Sequence, residues 1–578
     1  MKTVKNLLGF FSRYRLLMLL ALLCAVISVG LSLYIPVLVG EAVDYMLGKG
    51  SVDFGEIGRV AVIILILIAL IAVFQWLMTY LTNVISARTV RDLRNAVFKK
   101  LNSLPLSDID SKAHGDLISR ITNDVEAVGD GLTQVITKLF SGIVTIVGTL
   151  VFMLTISAGI ALVVVVLTPL SVLVAAVIGK MCAKSFREQQ ALQGEISSYV
   201  EEIVGSQKVV KAFSYEERSQ EEFEKQNNKL FKVGLRAQFA GALANPSTRF
   251  VNNMVYAATG IIGAISVISA FMGRLTIGGL SCFLTYANQY TKPFNEVTGV
   301  LTQIQTALAA GDRIFNTLSA VSEPDESGKK SLDNVEGELR FKNVSFSYTP
   351  DKPLIKDFSL KVSRGQQIAT VGPTGCGKTT LINLIMRFYE IDGGQILLDG
   401  VSTKDINRDS LRSKFGMVLQ DSWLFSGTIM DNLRYGNPDA SDEEIIAAAK
   451  MSYAHSFIRK MPDGYNTKLN ENAENLSAGQ KQLLCIARAM VLDPPVLILD
   501  EATSSIDTLT EIRVQKAFKK LMKGRTSFIV AHRLSTIKES DVILVMNDGD
   551  IIEQGKHDAL IKRKGFYYNL FNSKFTDS

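Results

Sequence analysis

The sequence predicts an all-α polytopic membrane domain followed by an α/β domain built around a phosphate-binding loop. Residues 1 to about 310 carry long uncharged apolar runs, which are typical of helices that cross a bilayer. Residues 337–578 alternate short apolar strands with polar helices, which is the pattern of an α/β domain. Residues 311–336 are rich in Ser, Glu, Asp, Gly and Lys and predict a linker. A chain of 578 residues, 47% of them hydrophobic, is also too long for one ordinary core.

Six apolar segments are long enough to cross a bilayer, which takes about 20 residues. The first is too long for the apolar part of a signal peptide and lacks a small-residue cleavage site, so we expect it to remain as a span. Before it, residues 1–13 mix Lys and Arg with Leu and Phe, which fits a helix lying on the membrane surface. The six predicted spans are residues 16–39, 60–84, 135–157, 160–178, 251–272 and 277–298.

The charges between the spans predict their orientation. Connections 85–134 and 179–250 are rich in Lys and Arg, whereas the other connections are short and poor in both. The positive-inside rule therefore places these long connections and both termini in the cytoplasm. Both connections are rich in helix formers, which predicts helices that continue beyond the bilayer. At their tips, residues 105–120 and 210–217 mix turn formers with charge, as short contact helices facing a soluble partner surface would.

Lys292 is the main charged residue inside a predicted span, and it directly precedes Pro293. A charge at membrane depth is costly unless it faces a cavity or a partner. Lys292 could therefore line a cavity together with Gln289, or it could pair with Glu296 one helical turn away. The sequence leaves both interpretations open.

The phosphate-binding loop matches the pattern G-x-x-x-x-G-K-[ST] at every fixed position. An apolar run at 367–371 predicts the strand before it, and residues 380–389 predict the helix after it. The glycines let backbone amides turn toward phosphate oxygens, and the helix N-terminus adds its dipole. Lys378 can reach the β and γ phosphates, and the Thr379 hydroxyl can bind Mg²⁺. The predicted binding residues are Gly372, Pro373, Thr374, Gly375, Cys376, Gly377, Lys378, Thr379 and Thr380.

Three further strands end in polar residues. The apolar strand 496–499 ends in Asp500, which can hold Mg²⁺ through water, and Glu501, which can polarise an attacking water. Strand 415–419 ends before Gln420. Strand 527–531 ends before His532, a position suited to contacting a γ-phosphate, although a lone histidine there is more often structural. These strand ends extend the candidate nucleotide site beyond the loop.

Two more segments are candidates on weaker patterns. Tyr348 ends an alternating strand, from which its ring could stack on an adenine. Ser477, Ala478, Gly479 and Gln480 precede a helix predicted at 481–491, so a second helix N-terminus offers amides to an anion. Nothing else in this domain requires that second anion site, because the phosphate loop already supplies one.

Composition excludes other classes of site. The net charge of +6 is modest for this length, and no basic patch interleaved with aromatic residues occurs, so we expect no nucleic-acid partner. The five cysteines lack paired spacing, which indicates neither a disulfide framework nor a zinc site.

With these residues assembled, the chain resembles the half-transporters of the ATP-binding cassette (ABC) exporter family, in which six spans precede one nucleotide-binding domain. The resemblance covers nearly the whole chain and implies ATP and Mg²⁺ as ligands. It implies that Tyr348 stacks on adenine, that Gln420 links Mg²⁺ to the membrane half, and that Glu501 is the general base. It further identifies His532 as the switch histidine, residues 504–507, which include Asp507, as the D-loop, and the tips near 110–116 and 213–217 as coupling helices.

The resemblance also explains the spare helix N-terminus. In that family the signature sequence LSGGQ faces the ATP held by the phosphate loop of the partner subunit. Here Ala478 replaces the first glycine of the pair, and Asn470 and Ala473 stand where glycines are usual. We expect the Ala478 methyl to disturb the signature, because glycine there permits a positive φ and close approach. Such variants resemble the catalytically intact half of heterodimeric multidrug-type exporters, so a heterodimer is favoured over a homodimer.

The function that this resemblance implies is ATP-driven export of an amphipathic or hydrophobic small molecule, peptide or lipid by alternating access, from a bacterial plasma membrane. The alternative is an ATP-gated channel or regulatory membrane protein built from the same parts. A soluble ATPase acting on nucleic acid conflicts with six spans. An importer is disfavoured because importers of this superfamily usually carry spans and nucleotide domain on separate chains.

Overall fold

The computed structural model describes residues 2–46, 52–269, 275–349, 351–420, 422–470, 473–500, 506–531 and 534–575. They form two compact units. The helical unit comprises Met1–Ser103 and Lys112–Val321, and the α/β unit comprises Leu104–Ser111 and Ser322–Ser578. The short segment Leu104–Ser111 thus belongs to the α/β unit, although in sequence it lies between helices of the other unit.

The N-terminal half is all helical, as predicted. A single turn of 3₁₀-helix joins the first two helices, and π-helical turns at Arg120–Asp124 and Val135–Phe140 join α5, α6 and α7. The helices are α1 (Lys2–Phe11), α2 (Arg15–Asp44), α3 (Phe54–Leu101), α4 (Leu106–Asp110), α5 (His114–Ser119), α6 (Val125–Gln134), α7 (Ser141–Ile156), α8 (Ala158–Gly205), α9 (Gln207–Ala212), α10 (Glu216–Ser269) and α11 (Ile277–Leu318).

Within the described residues, four stretches of helix are long and apolar enough to cross a membrane: Thr3–Asp44, Phe54–Leu101, His114–Ile156 and Glu216–Ser269. They contain the first and second predicted spans, the third except Ser157, and the fifth except its end, which lies outside the described residues. The fourth overlaps a shorter apolar stretch, Ala158–Leu170, and the sixth lies on α11, which carries Lys292 and several amides. The described part of the chain therefore has four clear spans instead of the six expected, and the fourth and sixth stay predictions.

The helices predicted to continue beyond the bilayer are confirmed as long helices. α3 and α8 each have 48 residues and α10 has 54. At 1.5 Å per residue these helices extend roughly 70–80 Å, more than twice the thickness of the hydrocarbon core. Short helices lie at both tips, as α4 and α9, although α9 ends at Ala212 and so covers only the start of the segment predicted at 210–217.

Close approach of two helices fixes one part of the helical unit. A Cβ atom on Gly278 of α11 would lie 2.0 Å from the carbonyl oxygen of Gly40 in α2, so neither helix could come this near with a larger residue. Nearby, the buried Tyr286 hydroxyl donates a hydrogen bond to the carbonyl of Leu33. These contacts hold α2 and α11 together. α11 continues to Leu318, so the first part of the expected linker at 311–336 is helical.

The C-terminal half is an α/β domain with three sheets. Its strands are β1 (Leu339–Phe346), β2 (Ile355–Val362), β3 (Gln367–Val371), β4 (Gly393–Leu398), β5 (Val401–Ser402), β6 (Phe415–Val418), β7 (Gly427–Thr428), β8 (Lys468–Leu469), β9 (Val496–Asp500), β10 (Thr526–Val530), β11 (Val542–Asn547) and β12 (Asp550–Gly555). Its helices are α12 (Lys378–Ile385), α13 (Arg408–Arg412), α14 (Ile429–Arg434), α15 (Asp442–Met451), α16 (His455–Ile458), α17 (Ala478–Leu492), α18 (Thr508–Met522), α19 (Leu534–Glu539), α20 (His557–Arg563) and α21 (Phe566–Phe575).

The central sheet has the order β12-β11-β3-β10-β9-β6, with β12 antiparallel to β11 and the other neighbours parallel. Its side chains alternate between two cores. Leu497 and Leu499 pack with α14, α15, α17 and α18 on one face, while Val496 and Ile498 pack with α12 and the four-stranded sheet β2-β1-β4-β5 on the other. Burial on both faces explains why these parallel strands are continuous apolar runs in the sequence.

A buried carboxylate joins the start of the α/β unit to its interior. The Glu326 side chain is 4% exposed and accepts hydrogen bonds from Arg387 at 2.8 Å, Arg408 at 2.6 Å and Lys329 at 2.9 Å. Although burial acts to raise the pKa of Glu326, the bonds from Lys329 and Arg387 and the charge of Arg408 outweigh it, and that pKa is lowered. Removing the charge of one residue in this cluster would leave the buried charges of the others with fewer counter-charges.

We expect Glu326→Gln to lower the free energy of unfolding of the α/β unit by up to about 3–5 kcal/mol, because the amide removes the buried counter-charge and leaves Arg387 and Arg408 to the half-exposed Glu390. The matched control is Glu539→Gln, which removes the exposed partner of Lys519 and should cost at most about 1 kcal/mol. In a Trp76→Phe background the remaining tryptophan, Trp423, reports denaturant unfolding of this unit alone.

The pH dependence gives a second readout of the same cluster. A folded-state pKa below the unfolded value means that the stabilisation is present above the unfolded pKa and is lost as pH falls through the folded pKa. On acidification, the free energy of unfolding of Glu326→Gln should therefore fall less than that of the parent chain. Equal denaturant midpoints for Glu326→Gln and Glu539→Gln would contradict a stabilising role for Glu326.

Candidate nucleotide site

Four neighbouring parallel strands bring the predicted site to one edge of the central sheet. In the register of β3, β10 and β9, Thr370 is beside Val530, and Val530 is beside Asp500. In the next pair, Val418 of β6 is beside Leu499. The carboxyl ends of these strands therefore lie side by side, and the phosphate loop, Asp500 and the Gln420 segment leave from the same edge, which is where open α/β sheets bind ligands.

Glycine is required at particular points of the phosphate loop. Gly375 and Gly377 adopt φ values of +86° and +100°, which side chains rarely tolerate. A Cβ atom on Gly372 would lie 2.2 Å from the carbonyl oxygen of Met546, so the loop packs directly against the end of β11. The predicted loop conformation is thus present, and it leads straight into the N-terminus of α12 at Lys378.

Lys378 folds back over its own loop. Its ammonium group donates hydrogen bonds to the carbonyls of Gly372 at 2.9 Å and Pro373 at 2.7 Å, and it lies 3.6 Å from Cys376 Sγ. Thr374 and Thr379 are exposed, whereas Cys376 is buried. Backbone amides, an ammonium group and an exposed hydroxyl thus lie on one short loop, the chemistry that a nucleoside triphosphate needs.

Tyr348 stands beside this loop with half of its surface exposed. Its hydroxyl donates to Thr380 Oγ1 at 3.2 Å and accepts from Asn383 Nδ2 at 3.3 Å. Thr380 is buried, so its hydroxyl binds Tyr348 while Thr379 points outward. The edges of Phe346 and Tyr389 meet the ring at centroid distances of 4.9 and 5.0 Å. The ring that is expected to stack on adenine is therefore fixed by its neighbours.

Tyr389 extends this aromatic group to α4. Its hydroxyl donates to Asp110 Oδ2 at 2.9 Å. Burial, and then this bond to Asp110, raises the pKa of Tyr389 to about 12, so the hydroxyl stays protonated. No sequence pattern singles out Tyr389, and its position after the phosphate-loop helix is the one local signal for it.

The signature segment is a well-capped helix start. Ser477 Oγ accepts a hydrogen bond from the Gln480 amide at 3.3 Å, and Gln480 Oε1 accepts one from the Ser477 amide at 2.9 Å. This reciprocal capping begins α17 at Ala478, three residues before the helix predicted at 481–491. Ser477 and Ala478 are exposed.

The positive φ expected at position 478 is not found, whereas the expected crowding of a partner's phosphate by the Ala478 methyl stays a prediction. Ala478 is the first residue of a regular α-helix and has no positive φ. The small residue is needed one position later, because a Cβ atom on Gly479 would lie 2.3 Å from Thr510 Cγ2. A positive φ of +49° occurs instead at Ala473, one of the other two departures from the family pattern. In this segment, the backbone conformation that disfavours a side chain therefore occurs at Ala473 and not at Ala478.

Three predicted residues follow β9 and β10 in sequence. Glu501 and His532 lie outside the described residues, immediately after Asp500 and Ala531 in sequence. Asp507 is the N-cap of α18, where its side chain accepts a hydrogen bond from the Thr510 amide at 2.9 Å. That backbone bond lowers the pKa of Asp507. Asp507 thus has a structural task within this chain, and its role toward a nucleotide stays a prediction.

Sequence reasoning missed an arginine that connects the signature helix to the segment after Gln420. Arg488 of α17 donates to the carbonyl of Trp423 at 3.2 Å and to the backbone and side-chain oxygens of Asn432 at 2.9 and 3.0 Å. Asn432 in turn holds Phe425 through both backbone groups. Burial lowers the pKa of Arg488. No local pattern marks Arg488, because its partners are more than 50 residues away.

The donor set suits Mg²⁺ held jointly with phosphate. Among the described residues no group of three or more His, Cys, Asp or Glu side chains could hold a metal by itself. Thr379 and Gln420 are exposed at this edge and Asp500 ends β9, so the protein offers a few oxygen ligands. Mg²⁺ at nucleotide sites takes few protein oxygens and completes its shell with water and phosphate.

Comparison with known proteins identifies both halves. Residues 18–294 match the ABC transporter transmembrane region, and residues 355–504 match the ABC transporter family model. A fatty acid ABC transporter ATP-binding/permease protein of Mycobacterium bovis is 40% identical over 90% of this chain and 82% of its own length. An uncharacterized ABC transporter ATP-binding protein of Bacillus subtilis, YfiC, is 39% identical over 99% of this chain and 94% of its own. An ATP-dependent lipid A-core flippase of Syntrophus aciditrophicus is 33% identical over 96% of this chain and 92% of its own.

We expect Tyr348→Ala to weaken ATP binding by about 1–3 kcal/mol, because it removes a base-stacking surface. Tyr348→Phe keeps the ring and should bind ATP nearly as the parent chain does. Equilibrium binding of a labelled ATP to the full chain checks both. Inorganic tripolyphosphate serves as the control ligand, since it has no base and should bind all three proteins equally. Equal loss of ATP and tripolyphosphate binding in Tyr348→Ala would show a damaged loop instead of a lost stacking contact.

Proposed function

The chain belongs to the ABC transporter family, with the transmembrane region and the ATP-binding domain in one polypeptide, and we propose that it exports an amphipathic lipid as one half of a dimeric exporter. It is an integral membrane protein that couples ATP hydrolysis to transport. The observation that carries the proposal is the phosphate loop at the carboxyl edge of β3, in a chain whose other unit consists of long apolar helices.

The phosphate loop supports ATP binding through three kinds of group. Backbone amides before α12 and the helix N-terminus meet the phosphates, and Lys378 exchanges its contacts with Gly372 and Pro373 for phosphate oxygens. Mg²⁺, when bound, neutralises charge that develops on the phosphates. Thr379, Gln420 and Asp500 would hold it. Tyr348 stacks on the adenine.

The hydrolytic roles come from the family pattern. Glu501 follows Asp500 at the end of β9 and is proposed to accept the proton of the attacking water. His532 follows β10, the strand between β3 and β9, and is proposed to contact the γ-phosphate. Gln420, at the end of β6, is proposed to sense the metal. The common edge of these strands supports all three assignments.

A second half-transporter is needed, because Ser477, Ala478, Gly479 and Gln480 are proposed to face the ATP of the partner subunit. We propose a related but different subunit as this partner. Support comes from the variant signature, since the Ala478 methyl lies on the exposed start of α17, where a phosphate would meet the amides. Because Ala478 has no positive φ, backbone strain gives this proposal no support.

Two short helices are proposed to couple ATP use to the spans. α4 lies between α3 and α5 in sequence, and its Asp110 is bound by Tyr389 next to the proposed adenine-stacking ring. On the other connection, Phe213 follows α9 and is 78% exposed. A large apolar side chain so exposed at a helix tip supports a contact with the partner subunit.

An amphipathic lipid is the proposed cargo. The relatives named for fatty acid and for lipid A-core support this class. Within the helical unit, one cavity of about 380 Å³ is lined only by apolar residues of α1, α2, α6, the second π-turn and α11. A second cavity, of about 320 Å³, has a mixed lining, in which Lys138, Gln289 and Lys292 occur beside Leu139, Ile143 and Ile146. The second π-turn contributes Val135, Ile136 and Phe140 to the first cavity and Thr137, Lys138 and Leu139 to the second. A fully apolar cavity and a mixed one on two sides of one segment support an amphiphile as cargo.

The charge distribution supports the proposed location. The connections with α3, α5, α8 and α10 carry most of the Lys and Arg of the N-terminal half, which supports a cytoplasmic location for them and for the α/β unit. We propose a bacterial plasma membrane, because the relatives named above come from bacteria.

Replacing the proposed base tests the hydrolytic assignment. Glu501→Gln should bind ATP like the parent chain but hydrolyse it at least about 100-fold more slowly, because an amide cannot accept the proton. ATP-dependent accumulation of a labelled lipid in inside-out vesicles should disappear with it. Glu539→Gln, on α19, is the control and should keep both activities. ATPase activity near the parent value in Glu501→Gln would remove Glu501 from this role.

Removing one hydroxyl tests coupling. Tyr389→Phe keeps the ring that supports Tyr348 but cannot donate to Asp110, so we expect basal ATPase activity to persist while lipid accumulation falls severalfold. Tyr465→Phe is a matched control, because its hydroxyl is bound to His455 Nδ1 instead. Parallel loss of ATPase activity and transport in Tyr389→Phe would indicate misfolding, and unchanged transport would exclude this bond from coupling.

A further inference from the structure

The junction between α1 and α2 is joined to α3 around one carboxylate. Asp92 of α3 accepts hydrogen bonds from the Tyr14 hydroxyl at 2.7 Å, from Arg91 at 2.9 Å and from Arg13 at 3.5 Å. The Asp92 side chain is 14% exposed, whereas the side chains of Arg13 and Arg91 are 75% and 65% exposed. Because a guanidinium group has five N–H donors, both arginines keep donors for a further acceptor.

Two more arginines lie on the same helices. Arg15 begins α2, and Arg88 stands one helical turn before Arg91 on α3. Both are exposed, and no ion pair among the described residues includes either of them. The sequence offers little neutralising charge here, since residues 1–40 and 60–91 contain no acidic residue. The arginine surface, defined as Arg13, Arg15, Arg88 and Arg91, therefore has an excess of positive charge over the carboxylate of Asp92.

The position of the arginine surface along the helices corresponds to one edge of the membrane. Arg15 directly precedes the predicted span 16–39, and Arg88 follows the predicted span 60–84 by about 6 Å, at 1.5 Å per residue. The bond from Tyr14, next to the start of α2, to Asp92 shows that these two helix ends lie on the same side. The positive-inside rule predicts that this side is cytoplasmic, where the leaflet of a bilayer contains anionic lipids.

Exposed apolar side chains continue from the arginine surface into the first predicted span. Leu16, Leu19 and Leu23 of α2 are exposed and are three and four residues apart, so they share a helix face. Leu19 lies one turn after Arg15, which places this face directly beside the arginines. The outside of the helical unit thus offers positive charge to a head group and apolar contact to the acyl chains of the same molecule.

We propose that the arginine surface binds an anionic phospholipid of the cytoplasmic leaflet, with Arg13 and Arg91 on its phosphate and the exposed leucines of α2 along its acyl chains. Guanidinium groups suit this role, because they form bidentate hydrogen bonds with phosphate. The lipid is a component of the surrounding bilayer and not the cargo, so the inference goes beyond the proposed export and rests on the predicted orientation alone. Its bound phosphate holds the junction of α1 and α2 at the membrane surface.

Equilibrium binding to the full chain in an uncharged detergent tests this inference. Two labelled lipids with identical acyl chains are compared: phosphatidylglycerol, which carries one net negative charge, and phosphatidylcholine, which has the same phosphate but no net charge. We expect phosphatidylglycerol to bind at least about tenfold more tightly, because each arginine that meets an anionic lipid contributes a factor of about five. This preference should shrink as the salt concentration is raised.

Charge variants assign the site. Arg15→Gln, Arg88→Gln and Arg91→Gln should each weaken phosphatidylglycerol binding about fivefold and leave phosphatidylcholine binding unchanged. Arg91→Lys keeps the charge and should restore most of the affinity that Arg91→Gln loses. Arg15 and Arg88 do not bind Asp92, so their variants remove charge without disturbing the contact between α3 and the junction of α1 and α2.

The matched control is Arg59→Gln. Arg59 is also an exposed arginine of α3, but it lies at the opposite end of the predicted span, where it pairs with Glu56. This variant should bind phosphatidylglycerol as the parent chain does. A second control is glycerophosphoglycerol, the head group without acyl chains, which should displace phosphatidylglycerol far less effectively than unlabelled phosphatidylglycerol does.

Three results would overturn the inference. The first is equal binding of the two lipids. The second is a loss of phosphatidylglycerol binding in Arg59→Gln as large as that in the other glutamine variants, because any positive charge would then serve. The third is equal displacement by the soluble head group, which would show a phosphate site without a lipid. Because the measurement needs neither ATP nor transport, its failure leaves the proposed export in place, and failure of the proposed export leaves this binding intact.

Discussion

The cost of taking a charge out of water is the constraint on which both units depend. In the α/β unit it is met at Glu326, which is almost fully buried and gathers Arg387, Arg408 and Lys329. Arg387 directly follows the helix of the phosphate loop and also donates to the carbonyls of Thr403 and Ile406. The loop is therefore held at both ends, by β3 before it and by this cluster after α12. An anion-binding loop needs such fixed ends, because its amides stabilise phosphate only if they stay in place when the charge arrives.

The helical unit meets the same constraint by pairing charges where its helices lie close together. Arg313 of α11 binds Asp124, whose side chain is 8% exposed, and Arg120 donates to Thr317 at 2.7 Å. These pairs join the first π-turn to the end of α11.

The parts that the sequence predicted are those encoded by local pattern. β3, β9 and β10 are short apolar runs ending in polar residues, and the capping boxes at Ser441 and Ser477 are local as well. The features that the sequence did not predict depend on contacts between residues that are far apart in the chain. The bond from Tyr389 to Asp110 spans 279 positions, the tie from Arg488 to Asn432 spans 56, and no pattern near Leu104–Ser111 indicates that this segment belongs to the α/β unit. A family pattern also misled the prediction at Ala478, because the family's glycine predicted a positive φ that the helix start does not require.

The sixth predicted span is not among the clear spans for another reason. The polar residues of α11 that line a cavity also lower the mean hydropathy by which a span is recognised.

The contacts around Tyr348 connect the candidate ATP site to α4. Thr380, Tyr348, Tyr389 and Asp110 form one continuous set of contacts from the phosphate-loop helix to α4. Coupling free energies are reciprocal, so if ATP binding changes the position of α4, a change imposed on α4 alters ATP affinity by the same factor. Because the contacts run through ring edges and hydrogen-bonded hydroxyls, they transmit displacement without moving charge. A link of this kind between the phosphate-loop helix and α4 therefore depends on position rather than on electrostatics.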